Sequence, residues 1–462
     1  MAFDDKQRIL REPYPPLGTL IAAACARREG HTVALFDAMI ASSTHDFEIR
    51  LNADQFDAVV FFEDNFNWLS KMCLNRMRQS CVEMIGMAKE KGALVVVAGS
   101  DPSDFPQTFL AAGADYVICG EAEFRLMELL AHYNAGATAP FCGPGVARWV
   151  DGALAAIPAT RGERNLASFP QAAWDLVNMG AYRAIWEKDH GYFSLNMMTT
   201  RGCPYGCNWC AKPIHGRRYD VRDPLDCARE MARLKQEFQP DHIWFSDDIF
   251  GLKPGWVETF AQEVARLDGS LPFKIQVRAD LITAETAANL KTAGCRTAWM
   301  GVESGSQKVL DAMDKDLDRI AVNHATRHLQ EAGIEVCFFL QFGYPGEEAV
   351  DIRATWEMVA ELKPHQIGIS VAYPLPGTKF YEKVKDSLGS SDHWEHSHTM
   401  RPLHQTPYPA DFYPVLYDYL HHRFRRLKNR NRRGPRGLID FYRSWRTTRR
   451  LATFGVEGVP FK

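Results

Sequence analysis

The sequence predicts an α/β protein: a doubly wound, Rossmann-like amino-terminal domain, then a partial (β/α)6 TIM-like barrel, then an irregular, helical carboxy-terminal region. Three observations carry this. Short apolar runs alternate with amphipathic stretches across residues 31–132; the alternation stops over 134–190, where Gly and Pro accumulate; a second alternating series of six runs follows. The implied divisions are 1–135 for the first domain, 136–190 for a linker, 191–380 for the barrel and 381–462 for a tail with a basic stretch.

In the first domain "TVALFD", "DAVVFF", "ALVVVAG" and "DYVICG" read as buried parallel strands, with helices beginning near Leu17, Trp68, Asp104 and Glu121. In the second series the strands are "YFSLNMMTT", "HIWFSDD", "FKIQVRAD", "TAWMGVES", "EVCFFLQFG" and "QIGISVAYP". Barrels of this kind place chemistry at the carboxyl ends of their strands. Asp247, Asp248, Arg278, Asp280, Glu303, Ser304 and "GYPGE" (343–347) all stand at such ends.

A chain of 462 residues that is 46% hydrophobic buries a large core, and its net charge of −3 implies no global attraction to nucleic acid or anionic membrane. The start, "MAFDDKQRIL", is not a signal peptide, and no apolar stretch approaches the ~18 residues of a membrane span. The expected location is therefore cytoplasmic, where thiols stay reduced and clustered cysteines suggest metal or catalysis. Of eleven cysteines, Cys25, Cys73, Cys81, Cys119, Cys142, Cys227, Cys295 and Cys337 are scattered and read as small core hydrophobes.

The other three, Cys203, Cys207 and Cys210, fall within "RGCPYGCNWC" (201–210), where a strand ends and a loop begins. Soft thiolates spaced CxxxCxxC on a loop suit a polynuclear iron centre. A structural zinc would need a fourth ligand, for which His215 is the only nearby candidate. Three thiolates on a cubane leave one iron open to substrate or cofactor.

With Trp209 in the aromatic position before the last cysteine, the motif resembles that of the radical S-adenosylmethionine (SAM) superfamily. The resemblance implies a [4Fe–4S] cluster held by Cys203, Cys207 and Cys210. It further implies SAM chelated at the open iron, a 5′-deoxyadenosyl radical, and an external one-electron reductant of the flavodoxin or ferredoxin type. "FSDDIF" (245–250) resembles the second strand end, which places Asp247 and Asp248 toward the SAM amino group. "QVRAD" and "GVESGS" resemble the third and fourth, which assigns polar contacts with SAM to Arg278, Glu303 and Ser304. "FFLQFGYPGE" resembles the fifth, with Gly343 and Pro345 against adenine. Asp247, Arg278 and Glu303 fit rim salt bridges equally well.

"REPYPPLGTLIAAACARREGHTVALFDA" and "VVVAGSDPSDFPQTFLAAGADYVICGEAE" resemble the cobalamin-binding domain that precedes the barrel in one radical SAM subfamily. This implies corrinoid contacts from Gly99, Ser100, Ser103, Gly120 and Glu121, on turns whose backbone N–H groups are exposed at a helix start. "FDAMIAS" lacks the histidine of the DxHxxG lower-ligand motif, and no apolar strand precedes "PYPP". Glu63, Asp64 and Asn65 follow the second strand, where they either approach cobalt or cap the helix near Trp68. A vestigial α/β module that binds nothing is the competing reading.

"HWEHSH" (393–398) reads as a solvated loop and not a metal site. Between His421 and Arg450 stand twelve arginines and lysines against one acid, Asp440. That stretch either grips RNA, an anionic substrate or a membrane surface, or forms an amphipathic helix whose arginines face water.

The resemblance implies a cobalamin-dependent radical SAM enzyme that methylates an unactivated carbon of a small molecule. Oxidative cyclisation of a porphyrin-like or secondary-metabolite substrate uses the same cofactors. RNA modification rests on the basic tail alone, so a nucleic-acid partner is not expected. A non-catalytic cobalamin or iron–sulfur sensor would have no need of the SAM-like strand ends. Tyr373, Phe380, Tyr381 and Trp394 suit either a planar substrate or the core.

Overall fold

The computed structural model describes residues 1–63, 74–159, 162–212, 214–388, 400–429 and 435–459. These fall into two compact units. The first comprises the described residues of Met1–Pro204 and Lys212–Asp248; the second is Tyr205–Ala211 with the described residues from Ile249 onward.

In the first unit, strands β1 (Ala58–Glu63), β2 (Leu94–Gly99) and β3 (Tyr116–Ile118) pair in parallel, with β2 in the middle and wholly buried. A valine-rich run without alternation is what a strand covered on both faces requires. Helices Leu17–Arg28, Asn75–Glu90, Ser100–Asp104, Pro106–Ala111 and Glu123–Asn134 intervene. Hence Glu63, Gly99 and Gly120 gather at the carboxyl ends of the three strands, where open α/β sheets bind ligands. The helix start expected near Trp68 lies outside the described residues, as do Asp64, Asn65, Cys73 and "HWEHSH".

"TVALFD" is not a strand. It runs without sheet partners because its end is anchored elsewhere: Tyr182 Oη donates to Asp37 Oδ2 at 2.7 Å, Asp37 Oδ1 accepts from Met39 N at 3.0 Å, and Phe36 packs edge-on against Phe47. β1 is consequently the edge of the sheet. Ahead of "PYPP" stands a helix, Asp5–Leu10. "PYPP" itself is held by Trp186 Nε1 donating to Pro13 O at 2.7 Å and Asn196 Nδ2 to Pro15 O at 3.1 Å.

The stretch read as a linker carries regular structure. Strands β4 (Val146–Val150) and β5 (Ala153–Ala156) form an antiparallel hairpin on β3, and a helix spans Met179–His190. Asp151 and Gly152 turn the hairpin with φ of 48° and 80°, the two positive values that an Asp-Gly two-residue turn supplies.

All six strands expected in the second series form. In the first unit β6 (Ser194–Met197) leads to a two-stranded ribbon of β7 (Thr200–Arg201) and β8 (Asp220–Val221), and β9 (His242–Phe245) pairs in parallel with β6. In the second unit β10 (Phe273–Val277), β11 (Cys295–Glu303), β12 (Glu335–Phe342) and β13 (Gln366–Val371) pair in parallel in that order. Helices Ala284–Ala293, Arg319–Glu331 and Ala349–Leu362 link them, each begun by a capping Thr283, Asp318 or Glu348. The helical tail consists of Phe412–Lys428 and Pro435–Ala452.

Gly99 ends β2 at φ 144° and ψ −172°, a region open only to glycine, and a Cβ there would lie 2.3 Å from Glu63 Cβ. Gly99→Ala should therefore lose about 3 kcal/mol or more of unfolding free energy in urea titrations, combining backbone strain with overpacking. Gly152→Ala, also at positive φ but facing open space, should lose only about 1–2 kcal/mol. Equal losses would refute the packing argument.

Candidate active site

In the first unit the two segments that flank the cysteine loop meet in a neck. Arg201, two residues before Cys203, is 2% exposed and donates to Glu121 and, at 2.7 Å, to Glu123 Oε1. Its guanidinium lies 4.0 Å from the Phe169 ring centroid. On the far side of the loop, Arg218 Nη2 donates to Glu121 Oε1 at 2.9 Å and His215 Nδ1 stands 3.6 Å from the same oxygen. One carboxylate thus ties both ends of the loop. A Cβ at Gly202 would lie 2.5 Å from Arg218 O, so the two strands of the neck approach too closely for any side chain there. Burial alone would raise the Glu121 carboxyl; the neighbouring His215 and the Arg201 charge outweigh it and hold it at about 2.

Asp247, fully buried, braces the same entry. Oδ1 accepts from Thr199 N at 2.7 Å and Thr200 N at 2.9 Å, and Oδ2 from Thr199 Oγ1 at 2.5 Å. Burial pushes it up to about 6 despite these bonds. Both oxygens shape the backbone that enters the motif, a task nearer than the ligand contact expected from sequence. Asp248 is raised by burial, opposed by His215, Lys212 and the Gly202 N–H.

Three of the five residues expected to touch a corrinoid line a single pocket in the first unit: Gly99, Ser100 and Gly120. Ser103 instead links the two glycine turns, donating to Gly99 O at 2.5 Å and accepting from Gly120 N at 2.9 Å. Glu121 sits in the neck. Glu63 lines the pocket and accepts from Asp101 N at 2.8 Å. Asn196, 5% exposed, also lines it; Nδ2 is used on Pro15, and Oδ1 is buried without a partner among the described residues. A corrin ring is rimmed by primary amides, donors of the kind Asn196 Oδ1 lacks, so the pocket suits that group.

In the second unit, Asn208 fastens the later half of the motif. Its N donates to Met313 O at 3.0 Å and Nδ2 to Ala312 O at 2.8 Å; Oδ1 accepts from Tyr344 Oη at 2.9 Å, and its carbonyl accepts from Phe380 N at 2.9 Å. Trp209 packs on the cluster of Val309, Met313, Tyr344 and Phe380. Cys207 is buried and Cys210 half-buried, as is Cys203 in the first unit. Glu303, at φ 61°, receives Lys315 Nζ at 2.9 Å. Burial would discharge Lys315, but Glu303 and a thiolate at Cys207 keep its pKa raised. Arg278 lies 3.6 Å over the Tyr205 ring and donates to Asp280, Lys315 O and Asp316 O. Its charge is likewise held against burial by Asp280, Tyr205 and Cys207. Cys207 therefore lies in the field of two buried cations, which suits thiolates carrying an anionic cluster.

Ser304 Oγ pairs with Thr355 Oγ1 at 3.1 Å and accepts from Ser306 N, so it is a turn residue. Gly343, at φ 79°, donates to Glu347 Oε2 at 2.7 Å; burial pushes Glu347 up to about 8. Pro345 is half-buried beside it. Among the described residues no three His, Cys, Asp or Glu converge on one metal ion. A cubane asks for a looser arrangement, since each thiolate binds a different iron. Of the scattered cysteines, Cys25, Cys227, Cys295 and Cys337 are buried with thiols raised by burial, whereas Cys142 is exposed. Sequence reasoning overlooked Arg201, Asn208 and Lys315; only their place beside the cysteines and "GVES" marked them.

The family model for the radical SAM superfamily matches residues 197–359, and that for the B12 binding domain matches 10–130. An uncharacterized methyltransferase of Pyrococcus horikoshii is 22% identical over 401 residues, 86% of this chain and 84% of the relative. The anaerobic magnesium-protoporphyrin IX monomethyl ester cyclase of Cereibacter sphaeroides is 25% identical over 289 residues, 60% of this chain and 46% of the relative. Among solved structures, the cobalamin-dependent SAM radical enzyme OxsB with aqua-cobalamin and SAM superposes at a TM-score of 0.75, with 16% identity, over 97% of this chain and 70% of that one. The radical SAM methyltransferase TsrM of Kitasatospora setae, with cobalamin and a [4Fe–4S] cluster, does so at 0.68 with 20% identity, over 81% and 75%.

Arg201→Ala would take from buried Glu123 its cation and leave Glu121 with Arg218, and should remove about 3–5 kcal/mol of stability at pH 7. Because Glu121 titrates at about 2 in the folded chain against an ordinary 4.5, its contribution is complete above pH 4.5 and is lost as the pH falls toward 2. Urea unfolding between pH 5 and 3 should thus show a steeper loss in the wild type than in the variant; parallel slopes would contradict the clamp.

Proposed function

Since this chain belongs to the radical SAM superfamily, in the branch that carries an amino-terminal B12-binding domain, we propose that it transfers a methyl group to an unactivated carbon of a small-molecule substrate. The observation that supports this is the presence, in one chain, of a three-thiolate motif and a glycine-lined pocket at the ends of β1, β2 and β3. Cys203, Cys207 and Cys210 would hold the [4Fe–4S] cluster, leaving an iron for SAM. Gly99, Ser100, Gly120 and Asn196 would receive the cobalamin, with residues 1–135 as its domain and 191–380 as that of the cluster.

When bound, the cluster with SAM supplies substrate activation and the corrinoid supplies the methyl group, a division needed because an unactivated carbon is too weak a nucleophile to attack SAM. The chain's own residues do the remaining work. Glu121 and Arg201 hold the loop neck, Asp247 shapes the entry, Lys315 and Arg278 offset negative charge at Cys207, and Trp209 keeps water from its apolar surroundings. Electrons would come from an external one-electron carrier of the flavodoxin or ferredoxin type. A cytoplasmic setting accords with the reduced thiols of Cys25, Cys227, Cys295 and Cys337. Oxidative cyclisation stands as the second reading because a cyclase is among the relatives.

Anaerobically reconstituted protein given SAM and a strong reductant should form 5′-deoxyadenosine, and Cys207→Ala should form none above background. Persistence of cleavage in that variant would undo the cluster assignment. Incubating the enzyme and methyl-labelled SAM with extract from a strain lacking the protein decides the reaction: a labelled product supports methyl transfer, and an unlabelled dehydrogenated or cyclised one replaces it with the alternative.

A further inference from the structure

The helix Pro435–Ala452 meets Phe412–Lys428, among the side chains described, mainly along one stripe. Ser444 and Leu451 are buried, Arg426 Nη1 donates to Ser444 Oγ at 3.3 Å, and His422 Nδ1 meets Thr447 Oγ1 at 3.4 Å. The spacing 444, 447, 451 is one helical face. That docking turns Phe441, Tyr442 and Trp445 outward, at 54%, 59% and 43% exposure, although each is large and apolar. Arg443, Arg446, Arg449 and Arg450 are exposed on the same turns. Tyr442 and Trp445 stack at 6.0 Å, and the Arg449 guanidinium is 4.2 Å from the Trp445 ring centroid.

We propose that this face is a docking surface for an anionic phospholipid bilayer. Exposed aromatics side by side are unfavourable in water and favourable at the headgroup boundary, where Trp and Tyr bury a ring and keep a polar edge wet. Arginines beside them meet phosphate with forked donors. Twelve basic residues against one acid between 421 and 450 give the surrounding stretch the sign that such a surface attracts. No helix among the described residues is long and apolar enough to cross a membrane, so the geometry is that of a helix lying in the interface. Nucleic acid fits less well. Base stacking needs open ring faces, yet Trp445 is flanked by Arg449 and Tyr442, and one face of Phe441 meets Arg426 at 5.2 Å. This proposal is independent of the reaction proposed above.

The test is co-sedimentation of the full chain with vesicles of phosphatidylcholine alone and of phosphatidylcholine with one-third phosphatidylglycerol, beside binding to a single-stranded RNA homopolymer. Binding to the anionic vesicles should be about tenfold tighter than to the neutral ones and weaken at high salt. The combined variant Phe441→Ser/Tyr442→Ser/Trp445→Ser should lose about tenfold at unchanged circular dichroism and thermal midpoint, since these side chains support no core. Arg443→Gln/Arg446→Gln should lose the preference for anionic vesicles. Equal binding to both vesicle types, undiminished binding by the aromatic variant, or tighter binding to RNA than to vesicles would overturn the proposal.

Discussion

The buried pairing of Arg201 with Glu121 and Glu123 is the constraint on which the rest of the first unit turns. Moving three such charges out of water costs several kcal/mol each unless every one finds an opposite partner with good geometry. Arginine satisfies two carboxylates at once because its donors fan out in a plane, a task the point charge of lysine cannot do. The pairing joins the loop after β3, one residue from Gly120 in the glycine-lined pocket, to the residue that precedes Gly202 and Cys203. Arg218 and His215 then bring the returning chain to the same Glu121 oxygen. The loop with the three cysteines thus begins and ends at an electrostatic anchor set by the loop after β3.

The later half of the motif is held by a different device. Asn208 uses its main-chain N–H and C=O and both side-chain polar atoms within the second unit, which converts a glycine- and proline-containing stretch into a fixed turn without regular structure. Around it charge is balanced locally: Lys315 answers Glu303, Arg278 answers Asp280, and both cations also feel Cys207. Buried cations normally shed protons or move to the surface; here nearby negative charge keeps them in place. A cluster with three thiolates would strengthen that balance, because it adds negative charge where two cations already wait.

Much of this was legible in the sequence, for identifiable reasons. The six later strands and the valine-rich β2 announced themselves by apolar runs bounded by Gly, Pro and Asp, and the thiolate spacing is local. "TVALFD" misled because periodicity reports apolar character and not partners; Asp37, pulled to Tyr182, decides that it does not join the sheet. The β4–β5 hairpin is legible in the Asp-Gly turn of "VARWVDGALAA", but the surrounding Gly and Pro obscure it. The clamp was not legible at all, since Glu121 and Arg201 are 80 residues apart and each alone resembles a surface charge. Asp247 shows the same limit: its position at a strand end was readable, its hydrogen bonds to Thr199 and Thr200 were not.

Net charge concealed an asymmetry that matters for partners. The chain sums to −3, yet residues 421–450 carry eleven net positive charges, so the remainder carries fourteen net negative ones. A chain so divided is repelled from an anionic surface over most of its length and drawn to it at one segment, which orients any encounter before contact is made. Over a Debye length of about 8 Å at physiological salt, only charges close to the surface count, so the exposed arginines beside Phe441, Tyr442 and Trp445 outweigh the distant acidic majority. The aromatics then determine what such an encounter becomes, because electrostatic attraction alone is screened by salt whereas buried ring area is not.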